Sequence, residues 1–286
     1  HQSDDINMVY LIASGIDIAN DEVIAGFEEA LGAGVTLFGA TTSDNMRGIT
    51  SCQALDGELF RHSAIAIGFC DPTLRVVTQA SHGFVASGEP MTVTAVRGNR
   101  IVELDGKPAW PTYLEHMGLE PGSQIVDTIP IGALAEALPP DDALVYGNDH
   151  ILRVVTHKEG DGSLVYPTLP REGLQLWLTE RDEERIFDDL DRLVATMGEE
   201  ASGQLPVAVF QADCLARGRR LFDRVIKEEL VQRMQHPFSG EEGPPPWLGI
   251  YGFGEYARLN GRNTYHNYTT ALAALYRCPP AGEARP

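Results

Sequence analysis

The sequence predicts a mixed fold, α+β or α/β, built as two similar strand–helix–strand units with mixed or antiparallel sheets and helices on the outer faces. Three observations lead there. Short apolar runs bounded by Gly, Ser or Asn recur along the chain, as buried strands do. Other stretches carry apolar residues at helical spacing. Finally, residues 8–69 and 206–276 repeat one order of signals: strand, helix, strand ending in Gly, polar link, strand. Leu55-Asp56-Gly57 leads to His62 in the first unit, and Leu259-Asn260-Gly261 leads to His266 in the second. A repeat of this kind implies two comparable units with hairpins between them. Helices alternate irregularly with paired strands, which argues against a doubly wound parallel sheet.

In order, Met8-Val9-Tyr10-Leu11-Ile12-Ala13 reads as a buried strand closed by Ser14-Gly15. Asn20 suits an N-cap, with Asp21 and Glu22 in the first turn where the helix dipole favours them. Val23, Ile24, Phe27, Ala30 and Leu31 then share one helical face, and Gly32 stops it. Strands are expected at 35–39 and 63–69, with a small polar turn over 40–45. Gly98-Asn99 joins runs 92–96 and 100–104 as a hairpin. Pro108 opens a helix whose apolar face is Trp110, Tyr113, Leu114 and Met117. A second hairpin is expected to pair 151–156 with 164–166 across Gly160-Asp161-Gly162, and 174–178 forms another strand. No element is assigned over 121–149. Thr179 and Asp182 begin a capping arrangement ahead of the stripe Ile186, Leu190, Leu193, Val194, Met197. A strand follows at 206–210, and a helix is expected from near Arg217, with Phe222, Ile226, Leu230 and Met234 on one face. The end of the chain, from Cys278, reads as frayed. The division into halves is placed at 1–120 and 121–286.

The formal net charge is −19 over 286 residues, which repels phosphate and so argues against nucleic acid or an anionic membrane as partner. No stretch approaches the roughly 20 apolar residues of a membrane span. No basic, apolar leader opens the chain, and the start at His1 reads as that of a fragment or processed product. Cys52, Cys70, Cys214 and Cys278 form no C-x-x-C pair, which speaks against a zinc site or disulfide framework and for reduced thiols in a cytoplasmic protein.

The chemistry concentrates near the C-terminus. Asp213-Cys214-Leu215-Ala216-Arg217 lies where a strand hands over to a helix. A helix N-terminus there, with the planar fork of Arg217, would hold a carboxylate or phosphate. Cys214 beside those positive groups reads either as an activated thiolate or as a small buried side chain. Gly249-Ile250-Tyr251-Gly252-Phe253-Gly254-Glu255 ends a strand in glycines and one carboxylate, and Tyr265-His266-Asn267-Tyr268-Thr269-Thr270 follows. Glu255, His266 and Cys214 would together imitate a nucleophile, base and orienting carboxylate, although their spacing does not require that geometry. The dinucleotide, Walker and H-E-x-x-H patterns are absent.

These residues resemble the FIST domain (F-box and intracellular signal transduction). Cys214 and Arg217 match a C-x-x-R element of its C-terminal half. Residues 249–255 match a G-[FY]-x-x-G-E strand end, and His266, Asn267 and Thr269 match an H-N-x-T strand. Gly39-Ala40-Thr41-Thr42-Ser43-Asp44 is similar to the N-terminal half's G-G-T-A-G-D turn, departing at Ala40, Thr42 and Ser43. Asn99-Arg100 with Leu104-Asp105-Gly106-Lys107-Pro108-Ala109 resembles its N-R…L-D-G-x-P-A segment. The resemblance covers nearly the whole chain, apart from a first section usual in the family. It implies a sensory input module that binds a small ligand, amino acids among the candidates, and signals to a partner such as a histidine kinase, without catalytic residues. The ligand set expected is Cys214, Arg217, Gly254, Glu255, His266, Asn267 and Thr269, in a pocket between the halves. The resemblance also carries a haem-binding nitric oxide sensor as an alternative, with His266 or His62 as axial ligand. A protein-interaction scaffold without a ligand is a further alternative.

Overall fold

The first apolar run forms β1 (Met8–Ser14), which passes through α1 (Asn20–Leu31) to β2 (Thr36–Thr42), paired with β1 in parallel. The structure is a computed structural model and describes residues 6–16, 18–44, 47, 49–217 and 224–278, with side chains from 228 on in the last span. A small hairpin follows, β3 (Cys52–Leu55) and β4 (Glu58–Arg61), then β5 (Ala64–Phe69) and β6 (Leu74–Ser81). The middle of the chain holds β7 (Phe84–Arg97), β8 (Arg100–Leu104), β9 (Lys107–Pro108), α2 (Ala109–His116) and α3 (Ile125–Thr128). It continues with β10 (Leu134–Ala137), α4 (Pro140–Tyr146), β11 (His150–Arg153), β12 (His157–Lys158), β13 (Leu164–Val165), β14 (Gln175–Arg181) and α5 (Glu183–Glu200). The last part is β15 (Ala208–Cys214), α6 (Arg224–Gln235), β16 (Trp247–Gly252), β17 (Glu255–Leu259), β18 (Arg262–His266) and β19 (Thr270–Arg277).

The fold is mixed α+β, as the sequence predicts, and its sheets are mixed or antiparallel. The internal repeat is visible in the pairing. β5 runs antiparallel to β1 beside the parallel β1–β2 pair, and β19 runs antiparallel to β15 beside the parallel β15–β16 pair. Each unit inserts a hairpin before its last strand, and both hairpins turn through left-handed residues: Asp56 and Gly57 in one, Asn260 and Gly261 in the other. Such turns match the twist of the strands they join.

The two units exchange strands. β17 leaves the second unit and pairs with β2, giving the sheet β18-β17-β2-β1-β5. β6, which follows the first unit, pairs with β19 from Thr270↔Ser81 to Arg277↔Leu74, giving β16-β15-β19-β6. A third sheet, built on the long strand β7, joins them. The α5 stripe Ile186, Leu190, Leu193, Val194 and Met197 is buried against Phe84, Ala135, Leu152 and Leu272. Each such side chain contributes about 1.5–3 kcal/mol on burial. On the other side, α1 lays Ile24 against Val9, Leu11 and Leu37. No helix among the described residues is long and apolar enough to cross a membrane.

Two local expectations are corrected. Asn20 does not cap α1. The N-cap is Ala19, and the buried Asn20 side chain instead receives the Tyr256 hydroxyl and reaches the Pro167 carbonyl. The strand at Ile151 pairs with β10 rather than with 164–166. The hairpin on that side is the shorter β12–β13, because a sheet neighbour competes for β11. The start of the helix expected from near Arg217 lies outside the described residues: Leu215–Arg217 is a turn and α6 is described from Arg224, with Phe222 and the Ile226 side chain also outside them. The unassigned span 121–149 contains α3, β10 and α4. Asp182, as expected, caps α5 by accepting from the Arg185 N–H.

Candidate functional site

The strand exchange brings chain ends from two sheets to one seam. β15 ends at Asp213 and Cys214, and Asp213 lies in register with Thr270 at the start of β19. β17 begins at Glu255, in register with His266 at the end of β18 and with Ala40 of β2. Asn267 to Thr269 link β18 to β19 across the seam. Arg217, Glu255, His266, Asn267, Thr269 and Thr270 are all 0% exposed, so six polar side chains are enclosed together.

Their hydrogen bonds are specific. Thr269 Oγ1 donates to Glu255 Oε2 at 2.6 Å. Arg217 Nη1 donates to Thr270 Oγ1 at 2.7 Å and reaches Asp213 Oδ1 at 3.5 Å, while Nε reaches the His82 carbonyl at 3.4 Å. Asn267 Nδ2 donates to the Phe253 carbonyl at 3.0 Å, and its Oδ1 accepts from the Val154 N–H at 3.3 Å. Gly254 must lack a side chain here: a Cβ on it would lie 2.0 Å from Tyr265 Oη and 2.7 Å from Asn267 Nδ2. Tyr146, on α4, covers the seam. Its hydroxyl meets His266 Nδ1 at 3.3 Å, and its ring lies 5.6 Å from the rings of both His82 and His266. His82 Nδ1 accepts from the Phe84 N–H, so its Nε2 carries the proton given to the His150 carbonyl.

Several polar atoms are left over. Arg217 Nη2, Glu255 Oε1, His266 Nε2 and Ser81 Oγ are buried with no hydrogen-bond partner. Leaving a buried donor or acceptor unmade costs about 1–3 kcal/mol each, so such a group calls for an explanation.

Burial also sets the charge states. It pushes the Glu255 carboxyl well above the usual range, and nearby Asp213 adds to that, against the Thr269 bond and Arg217. Asp213 is raised by burial and held back by Arg217. Burial, then the Arg153 and His82 charges, lowers His266 to about 3, and burial lowers His82 to about 3 as well. Both imidazoles are neutral near pH 7. Cys214 is raised by burial and by Glu255, and it packs among Ile129, Val154 and Phe253 with Sγ 3.8 Å from the Phe253 carbonyl. Of the two readings of Cys214, the geometry bears out the buried thiol. The activated thiolate is not supported, because burial and the nearby Glu255 raise the thiol instead of lowering it.

Of the residues the sequence singled out, Cys214, Arg217, Gly254, Glu255, His266, Asn267 and Thr269 come together. His62 does not. It is exposed just past β4, with left-handed backbone. His266 is buried beneath Tyr146, its ring 5.6 Å from that of Tyr146. Among the described residues no group of three His, Cys, Asp or Glu is placed to hold a metal ion. Sequence reasoning missed Tyr146 and the role of His82 as its packing neighbour. The signal for α4 was present in Pro139-Pro140, Asp141, Asp142 and the left-handed Gly147 that stops it.

Two profiles match the chain, the FIST N domain over residues 3–107 and the FIST C domain over 111–258. The second ends within β17, so Glu255 lies inside it and His266 to Thr269 lie beyond. An uncharacterized protein of Mycobacterium bovis is 27% identical over 237 residues, covering 76% of this chain and 56% of its own. An uncharacterized protein of Mycobacterium tuberculosis is 26% identical over 230 residues, with the same two shares. The chain thus spans little more than half the length of these relatives. With one profile on each half and the C-terminal one alone covering more than half of its residues, the chain belongs to the FIST family.

Proposed function

We propose that this chain is a sensory module that binds a small polar metabolite, an amino acid or a close relative, at the seam between its two exchanged units. FIST domains are generally sensory modules of signal transduction, which supports the broad reading. The finer reading rests on one observation: Arg217 Nη2, Glu255 Oε1 and His266 Nε2 are buried in one cluster with no partner. A cation and a carboxyl enclosed together suit a zwitterion. Its carboxylate takes the open edge of the Arg217 fork, its ammonium takes Glu255, and His266, Asn267 and Thr269 complete the polar wall. Burial raises the Glu255 carboxyl and so favours its neutral form, whereas an arriving ammonium favours the ionised one. The signal passes to a protein partner, a histidine kinase being one candidate, in the cytoplasm.

Thermal melts against the set of natural amino acids test this. A ligand at 100 times its Kd stabilises the folded state by about 2.7 kcal/mol and raises Tm accordingly. The shift is expected for at least one amino acid and is expected to vanish in Arg217→Lys, which keeps the charge but loses the fork. Equal shifts in both proteins remove Arg217 from the site. No shift with any amino acid favours a scaffold without a ligand.

A further inference from the structure

The internal repeat matches β1, β2 and β5 to β15, β16 and β19, and it breaks at β5. On its side away from β15, β19 carries β6, antiparallel from Thr270↔Ser81 to Arg277↔Leu74. β5, the counterpart of β19, pairs with β1 on one side and, among the described residues, with no strand on the other. The β3–β4 hairpin just before it pairs only with itself. β5 therefore ends its sheet on a row of backbone groups able to template another strand. Natural edges are blunted with charge, proline or a bulge. Ala64-Ile65-Ala66-Ile67-Gly68-Phe69 carries neither charge nor proline, and its register with β1 is unbroken. Ala64, Ala66, Ile67 and Gly68 are exposed, Ile67 to 55%. Ile67 shares a strand face with Phe69, whose ring packs with Phe38 and Phe210 in the apolar layer between two sheets. Ile67 thus stands at the exposed rim of that layer.

We propose that β5 is a dimerisation edge, occupied by β5 of a second copy of this chain in antiparallel pairing about a two-fold axis. The pairing of β6 with β19 shows the sense of strand that this slot of the repeat accepts. A two-fold axis across a sheet edge sets a strand antiparallel to its own copy, so self-pairing supplies that sense. The strand is also uncharged, so its copy brings no like charge against it, and Ile67 gains an apolar neighbour in place of water. Such a contact closes at two copies, because each β5 edge is used once. Each chain carries a formal charge of −19, which opposes association at long range. Salt screens that repulsion and leaves the backbone pairing and apolar burial, so the dimer tightens as salt rises. No residue of the sealed cluster lies on β5, and the contact is independent of the ligand reading.

Sedimentation equilibrium of the whole chain from about 1 µM to about 100 µM, at low and at high salt, tests this. Ile67→Glu and Ala66→Glu each place a charge on one face of β5, and Leu144→Glu places one on α4, where Leu144 is 84% exposed. All three sites are exposed, and circular dichroism spectra matching that of the unmodified chain confirm that the variants fold. The expected result is a dimer that tightens with salt, weakened at least tenfold by both β5 variants and unchanged by Leu144→Glu. A monomer throughout the concentration range overturns the proposal and leaves β5 to a strand from another protein. A dimer kept by both β5 variants overturns it as well, because the contact then lies on another face. A dimer that loosens with salt is held by opposite charges rather than by β5, which also overturns it.

Discussion

Arg217, in the turn after β15, and Glu255, at the start of β17 in another sheet, are bonded to consecutive residues, Arg217 to Thr270 and Glu255 to Thr269. One short segment thus fixes both charges, and Asp213 depends on Arg217 for its nearest cation. Removing Arg217 leaves Asp213 buried without that partner, and breaking a buried pair in this way costs about 3–5 kcal/mol. Urea unfolding of Arg217→Ala is expected to show a loss in that range. A loss under about 1 kcal/mol would mean that Asp213 is not held by Arg217.

The raised Glu255 carboxyl fixes a pH dependence. Its folded value lies above the ordinary 4.5, so the folded state holds a proton that the unfolded chain releases. Its contribution to stability is complete below about pH 4.5 and declines as pH rises towards the folded value, by about 1.4 kcal/mol per unit. Glu255→Gln cannot ionise and loses nothing over that window. The stability difference, variant minus unmodified chain, is expected to grow as pH rises above 5 in urea titrations. A difference that does not change with pH would show Glu255 ionised throughout.

The histidines act on the acid side with the opposite sign. His266 falls from 6.5 in the unfolded chain to about 3 when folded. Its stabilising neutrality is therefore intact above pH 6.5 and is lost progressively as pH falls towards 3. His266→Phe is expected to remove about 1.4 kcal/mol per pH unit from the acid slope between pH 6 and 4. An unaltered slope would place His266 in contact with solvent.

Thiol labelling separates Cys214 from the rest. Cys52 and Cys70 are exposed, whereas Cys214 is buried with its thiol raised. A disulfide reagent near pH 8 is expected to modify Cys52 and Cys70 in the native chain and to reach Cys214 only on unfolding. Rapid native labelling of Cys214 would restore its candidacy as a nucleophile.

Much of the fold was legible where the signal is local. The α5 stripe, the Gly98-Asn99 turn and the Trp110 face of α2 rest on periodicity or turn chemistry within a few residues. The strand exchange was not, since nothing in Gly39-Ala40 announces that it pairs with Glu255 and Tyr256 of the other half. Asn20 shows the same limit. Its local preference as a cap gives way to tertiary bonds with Tyr256 and Pro167. The site residues were legible as a set through their motifs, whereas their complete burial was not. Enclosure depends on Tyr146 of α4, which comes from the span the sequence left unassigned.

The central claim is that Arg217 and Glu255 read the two ends of a zwitterion. It is tested most directly by calorimetry with the amino acid that gives the largest thermal shift, alongside its N-acetyl derivative and its methyl ester. The account predicts at least tenfold weaker binding for each blocked form, and a loss of discrimination against the N-acetyl form in Glu255→Gln. Equal binding of the free and blocked forms, or full discrimination kept in Glu255→Gln, would contradict it.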